Sequence, residues 1–311
     1  MILISIVINT TGKNLVNIRR LLYSIKQQNY NQYEIVIATE SNSIKIRHIC
    51  ETLGLKCVIL ETGYWNRCLT ADVAILKSKG ELIAILEDDI ELEPNWFSKM
   101  IQCISNDKYI GCVYSNVINP FGSESTASQA TNKMLYYIVR IVNTFRAHGN
   151  FTRKKITVFS LTVMCRREAL LKAGLFDTSV EEPIVAEDYD LAIRVQKAGY
   201  KIITCNYAKA LHYTHHAYKR TLLALERGSR WWERLIENDT YFFAKHYDVL
   251  GFVVFTHAIY NAFISPLALL VRLTKIKSFT PCFLINVFLR SIKGSLTGLI
   301  KGLMHAKRSA K

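Results

Sequence analysis

Glu87-Asp88-Asp89 directly follows the run Leu82-Ile83-Ala84-Ile85-Leu86, and this junction constrains the fold more than any other feature of the chain. The apolar run reads as a buried strand, and it must end where ionised groups cannot follow it into a core. Three adjacent acids repel one another, so a compact fold keeps them mainly where a cation offsets the charge. The carboxyl ends of parallel strands are also where open α/β sheets bind ligands. A solvated acidic turn is the alternative reading, and the rest of the sequence has to decide between the two.

The first half of the chain alternates two periodicities. Strands are expected at Leu3–Ile8, Tyr33–Ala38, Lys56–Leu60 and Leu82–Leu86, with helices at about Asn14–Gln28, Ser43–Leu53 and Asn66–Lys79 between them. This βαβα rhythm with short connections predicts an α/β fold, a mostly parallel sheet with helices on its faces. Pro94 suits the first turn of a helix through about Ser105, and Ile110–Ile118 reads as a further strand. Residues 120–155 break the pattern, with a loop and then an amphipathic helix over Lys133–Arg146, which suggests an inserted lid or acceptor-contacting segment. The core resumes with a strand at Ile156–Met164, a helix near Arg167–Ala173 and another opening at about Pro183–Glu187.

That last helix opens on a second acid cluster, Glu187-Asp188-Tyr189-Asp190. Acids in a first helical turn complement the helix dipole and cap it, which explains them without any chemistry. A chain with one acid cluster at a strand end and another at a helix start has a sharper option. One cluster holds a metal, and the other supplies a general base for an attacking hydroxyl.

The ordered set of motifs resembles the inverting glycosyltransferases of family 2, which have the GT-A fold. Ser5-Ile6-Val7-Ile8-Asn9-Thr10-Thr11-Gly12 looks like that family's first strand and nucleotide-contacting turn, and Leu86-Glu87-Asp88-Asp89 with Pro94 and Trp96 like its D-x-D region. Arg166-Arg167-Glu168-Ala169-Leu170 and Gly174-Leu175-Phe176-Asp177 match the segment before its catalytic helix, and Ala186-Glu187-Asp188-Tyr189-Asp190-Leu191 is similar to its E-D motif. Ala210-Leu211-His212-Tyr213 matches the strand that carries a histidine near the diphosphate, and Arg227-Gly228-Ser229-Arg230-Trp231 resembles the family's Q/R-x-x-R-W motif. The likeness covers about residues 3–216, and its weight lies in the order and spacing of short motifs.

The resemblance implies roles. Asp89, with Glu87 or Asp88 and with His212 as a third contact, would hold Mn²⁺ or Mg²⁺ against the donor diphosphate, where hard oxygen ligands suit such an ion. Thr10, Thr11, Glu40 and Asp88 would contact the nucleotide-sugar donor, whether UDP-, GDP- or dTDP-linked. Asp188 would take the acceptor proton, and the attack would invert the anomeric centre. Glu187, Arg227, Arg230 and Trp231 would serve the acceptor and diphosphate, the arginines by paired hydrogen bonds and the indole by stacking on a sugar. Two positions depart from the family pattern. Thr39 stands where an aspartate usually contacts the nucleoside, with Glu40 next to it, and Glu87 replaces the first aspartate of the D-x-D region.

The formal charge of +15 is uneven: no acid follows Asp248, while nine Lys or Arg do. Their apolar neighbours favour a membrane surface over nucleic acid. Val249–Val271 carries no formal charge over 23 residues, long enough to span a bilayer. Either one span or a two-span hairpin would export basic residues, so re-entrant or in-plane helices at the cytoplasmic leaflet are expected. Eight cysteines without a C-x-x-C pair suggest buried thiols in a reducing compartment. The expected organisation is a GT-A catalytic domain over 1–245 (a nucleotide-binding half at 1–118, an insertion at 119–155, an acceptor half at 156–245) followed by membrane-associating helices at 246–311. The acceptor is expected to be a lipid-linked or cell-envelope glycan. A sugar nucleotidyltransferase would need a glycine-rich phosphate loop that a lone Gly12 does not provide, and no P-loop is present. The rival from another class is an inactive, membrane-docked nucleotide-sugar-binding subunit, against which Asp89, Asp188 and His212 all speak.

Overall fold

The computed structural model describes residues 2–118, 120, 162–213, 216–269 and 281–309. The expected insertion over 120–155 with its helix, the first part of the strand expected from Ile156, and Leu270, Val271, Arg272, Lys275 and Lys277 lie outside the described residues, apart from Pro120. Two compact units result. Among the described residues, the first holds 2–118, 120, 162–181 and 187–213, and the second holds 182–186, 216–269 and 281–309. The sequence reading drew its line after residue 245.

In the first unit β1 (Ile4–Thr10), α1 (Leu15–Lys26), β2 (Tyr33–Thr39), α2 (Ser43–Thr52), β3 (Cys57–Glu61), α3 (Arg67–Lys77) and β4 (Leu82–Glu87) follow the expected rhythm. Every residue of β1 is buried, as a strand covered on both faces requires. Each fully buried Ile there contributes roughly 1.5–3 kcal/mol. Asn14 and Asn66 start α1 and α3 by accepting hydrogen bonds from the Asn17 and Leu69 amides at 3.2 and 2.9 Å. Then come β5 (Ile90–Leu92), α4 (Trp96–Ser105), β6 (Ile110–Ile118), β7 (Thr162–Arg166), α5 (Arg167–Lys172), α6 (Glu187–Lys197) and β8 (Lys201–His212). Pro94 lies ahead of α4 rather than in its first turn, because Asn95 takes the capping position in the left-handed region.

The strand order β3-β2-β1-β4-β7-β6-β8-β5 decides where the chemistry sits. β1, β2 and β4 are parallel, so Thr10, Thr39 and Glu87 end on one edge. β7 runs antiparallel to both β4 and β6, and β8 is parallel to β6. Two reversals restore the direction, so His212 ends β8 on that same edge. β5 leaves β4 after only two residues yet pairs with β8, Ile90 opposite His212, which curls the sheet back on itself.

The cysteines correct the sequence reading. Cys112 and Cys165 face each other across the β6–β7 ladder and are joined, as are Cys103 of α4 and Cys205 of β8. Cross-strand register makes the first pair and the packing of α4 on β8 the second, and neither is visible in sequence spacing. The cysteines therefore no longer argue for a reducing compartment.

The second unit is helical: α7 (His216–Ala244), the short α8 (Tyr247–Leu250), α9 (Val253–Leu269) and α10 (Pro281–Ser309). Gly228 at φ 78° interrupts α7, and Tyr260–Ile264 is a π turn within α9. The apolar run from Val249 is thus two elements broken at Gly251, whose φ of 59° and ψ of −136° no helix holds.

Candidate active site

Each polar group at the strand-end edge is placed by its own element. Glu87 closes β4, and Asp88 and Asp89 form the two-residue step into β5. His212 Nε2 lies 3.1 Å from Asp89 Oδ1 and 3.6 Å from Glu87 Oε2, and the Tyr213 amide donates to the Asp89 carbonyl at 2.9 Å. Ligand atoms of Glu87, Asp89 and His212 all fall within 4.8 Å of one another. Two carboxylates and an imidazole, partly exposed on one side, form the hard oxygen and nitrogen set that Mn²⁺ or Mg²⁺ accepts. Asp88, between Glu87 and Asp89 in sequence, accepts a hydrogen bond from the Thr10 hydroxyl.

The β1 and β2 turns are knitted together. The Gly12 amide donates to Thr10 Oγ1 at 3.0 Å, Ser41 Oγ donates to the Thr11 carbonyl at 3.1 Å, and Asn42 Nδ2 donates to the Gly12 carbonyl at 3.2 Å. Gly12 has φ 73°, and a Cβ there would collide with the Ser41 carbonyl and lie 2.6 Å from Thr39 Oγ1. Thr39 is fully buried and donates to the Ser41 carbonyl at 2.7 Å, so its hydroxyl shapes this turn. Glu40 pairs with Lys13 at 3.2 Å.

The second acid cluster comes to the same site through Arg67, which the sequence reading missed. Arg67 Nη1 lies 3.3 Å from Glu87 Oε1 and 3.1 Å from Glu187 Oε1, bridging acids 100 positions apart. Its only sequence signal is its place at the first residue of α3, after the Asn66 cap. Burial pushes the Glu87 carboxyl up; Arg67 pulls it down, Asp89 pushes it up again, and His212 and Glu187 act more weakly. Asp188, in the first turn of α6, accepts a hydrogen bond from the Tyr189 amide at 2.8 Å. Burial and then the Glu187 charge push its carboxyl up to about 8. Asp190 is different: it is buried and held by Arg194 at 2.6 Å, and Arg194 also donates to the Ala173 and Leu175 carbonyls. That pair fixes α6 to the turn before it, so Asp190 has a structural task.

Glu87, Asp88, Asp89, His212, Thr10, Thr11, Glu40, Glu187 and Asp188 therefore all stand in the first unit. Arg227, Arg230 and Trp231 belong to α7 of the second. There Arg227 and Arg230 are exposed, and Trp231 packs against the cluster of Trp232, Leu235, Ile236, Leu269 and Val287.

Known proteins resemble this chain in family and in fold. A family model described as Glycosyl transferase family 2 matches residues 5–176. The glucosyl-dolichyl phosphate glucuronosyltransferase of Haloferax volcanii is 19% identical over 61% of this chain and 62% of its own. The O-antigen chain rhamnosyltransferase WbaN of Salmonella anatum is 22% identical over 61% and 59%. The chain spans less than two thirds of each of the curated relatives it matches, and as little as 13% of one of them. Among solved structures, the mannosyltransferase PcManGT of Pyrobaculum calidifontis, in complex with GDP-Man and Mn²⁺, superposes with a TM-score of 0.55 at 16% identity, covering 98% of this chain and 86% of that one. That likeness shows a shared GT-A fold. With more than half its length matched by the family model, the chain belongs to glycosyl transferase family 2.

Proposed function

We propose that this protein transfers a sugar from a nucleotide-diphosphate donor to a hydroxyl of a lipid-linked or cell-envelope glycan, with inversion at the anomeric carbon. The observation that carries the reading is the meeting of the Glu87–Asp89–His212 triad with Glu187-Asp188 at one strand-end edge, bridged by Arg67. Asp188 takes the proton of the acceptor hydroxyl. The freed oxygen bonds to the anomeric carbon from the side opposite the diphosphate, whose oxygen leaves with the electrons of the broken C–O bond. A carboxylate whose affinity for protons is raised, here to about 8, is in its ionised form a stronger base than an ordinary aspartate. Glu87, Asp89 and His212 would hold a divalent cation, which supplies positive charge to the departing diphosphate. Arg67 holds Glu87 and Glu187 at a fixed spacing. Asp88, Thr10, Thr11 and Glu40 form the donor side, and Arg227, Arg230 and Trp231 are proposed for the acceptor and diphosphate.

GDP-Man and Mn²⁺ in the mannosyltransferase neighbour support the donor and metal classes. The relatives named for dolichyl phosphate and O-antigen support the acceptor class. Basic residues in the C-terminal helices support a location at the cytoplasmic face of the membrane.

The test is a thermal-shift panel of UDP-, GDP- and dTDP-sugars on the full chain with and without Mn²⁺, followed by turnover. One nucleotide class should stabilise the protein only with metal. Asp188→Asn should keep that shift and lose on the order of 10²–10⁴ in rate. Unchanged turnover in Asp188→Asn removes the base assignment. Donor binding with no turnover on any acceptor favours the binding-subunit reading.

A further inference from the structure

α10 of the second unit is largely inside out. Gly294, Gly298 and Gly302 bring α10 so close to α7 that a Cβ at Gly294 would lie 2.5 Å from the Glu233 carbonyl oxygen, and one at Gly298 would collide with that of Glu237. Its other face carries Ile285, Leu289, Leu296, Ile300 and Met304, each 52–61% exposed. Steps of four and seven residues align them in one stripe.

α9 shares the pattern in part: it buries Val253, Val254 and Leu269, and polar groups beside them. His257 and Asn261 are 1% and 2% exposed and turn toward α7. There His257 Nε2 lies 2.9 Å from Asp239 Oδ2, and Asn261 Nδ2 donates to Asp239 at 2.7 Å and to Thr240 at 3.0 Å. Outward it shows Ile259, Phe263 and Leu267, continued by Phe252. The Phe263 and Phe288 rings, 6.2 Å apart, join the two helices.

A helix of a water-soluble bundle does the reverse, burying its aliphatic side chains and showing polar ones. Small residues packed on a neighbour, polar groups turned into the bundle and large apolar groups turned out are what a lipid environment selects. A crossing of the bilayer is another matter. α10 lies along α7, and its own Lys293 and Lys301 pair with Glu233 and Glu237 of α7 at 2.7 and 2.5 Å. A spanning α10 would draw this stretch of α7, with exposed Arg230 and Arg234, into hydrocarbon. Charged side chains there cost about 2.5–3.5 kcal/mol each.

We propose that α9 and α10 lie flat on an anionic membrane, with both apolar stripes at the acyl boundary and Lys307 and Arg308 among the headgroups. The sign of the charge selects the occupant: no acid follows Asp248, so a second copy on this face would meet the same cations. The sugar-transfer reading gives this surface its purpose, bringing a lipid-linked acceptor within reach, but the surface stands on its own geometry.

The test is flotation of the full chain with vesicles containing phosphatidylglycerol or phosphatidylcholine alone. The wild type should bind the anionic vesicles at least about tenfold better. Leu289→Asp/Leu296→Asp/Ile300→Asp should lose that binding while keeping its circular dichroism and its donor-induced thermal shift. Should the triple variant misfold, Lys307→Glu/Arg308→Glu carries the test, because both positions are exposed. An impermeant maleimide should reach exposed Cys282 and a Lys307→Cys substitution from the same side of the vesicle. Binding that survives both variants, a dimer in vesicle-free buffer that the triple variant dissolves, or protection of one end of α10 each overturns the proposal. Failure of the sugar-transfer reading looks different: vesicle binding stays intact and turnover is absent.

Discussion

In the first unit Ile8, Ile85 and Leu86 are sealed in the sheet, and the carboxylates of Glu87 and Asp89 stand at its edge. In the second, Ile285, Leu296 and Ile300 face outward while His257 and Asn261 close on Asp239. Both halves are rich in aliphatic residues, so composition does not separate them. Their surroundings do: a sheet needs a dry interior before it can aim charges at a ligand, whereas an interfacial helix keeps its apolar side for lipid.

The comparison breaks most readily on matched truncations, where the largest effect is expected. Ile8→Ala removes a fully buried side chain from the core cluster it shares with Ile18, Leu21 and Leu22 of α1, and should cost about 2–5 kcal/mol in urea unfolding. Ile300→Ala, the same chemical change on α10, should stay within about 0.5 kcal/mol, because that side chain is 58% exposed. Equal losses at the two positions would mean that the second unit has an ordinary core and that its exposed stripe is covered by protein.

A second effect sharpens what the first unit's edge is for. Asp89→Asn leaves the shape of the β4–β5 step and removes one carboxylate from the triad. Mn²⁺ affinity, read by titration calorimetry, should fall on the order of 10–100-fold, with the fold unchanged. If affinity holds, Glu87 and His212 do not form the cation site with Asp89.

The third effect lies in the second unit. Gly298→Val puts a branched side chain where even one carbon meets the Glu237 carbonyl and Thr240 Cβ. It should destabilise the helices by about 1–3 kcal/mol, followed through Trp231 and Trp232 fluorescence. The donor-induced thermal shift of the first unit should persist.

The sequence was most legible where periodicity and charge coincide. The first four strands lie within one or two residues of expectation at each end, and the acid triplet falls at the end of β4, because ionised groups cannot continue a buried strand. His212 carries no such signal. The three-residue β5 that pairs with it is too short to show a period, and the two strands are far apart in sequence. Arg67 was hidden for the same reason: its two acids are distant in sequence and adjacent only after folding. In the C-terminal region the apolar run from Val249 was visible as a membrane signal. The glycine face of α10, which reveals how that helix lies, shows its meaning only once α7 is packed against it.

The smallest effect joins the first unit's charge to its stability. Asp188 is raised from the ordinary 3.8 to about 8 in the folded chain, first by burial and then by Glu187. Between those values the folded form keeps a proton that the unfolded form has lost, so stability falls as pH rises through this window. Asparagine has no proton to release and carries no charge to bury. Asp188→Asn should therefore melt with the wild type near about pH 4 and a few degrees above it near about pH 9, by scanning fluorimetry of the metal-free protein. Saturating Mn²⁺ should narrow the gap at the higher pH, since a cation held by Glu87, Asp89 and His212 favours the ionised carboxylate. Coincident melting at every pH would show that Asp188 is solvated like a surface aspartate, and its claim to be a strengthened base would go with it.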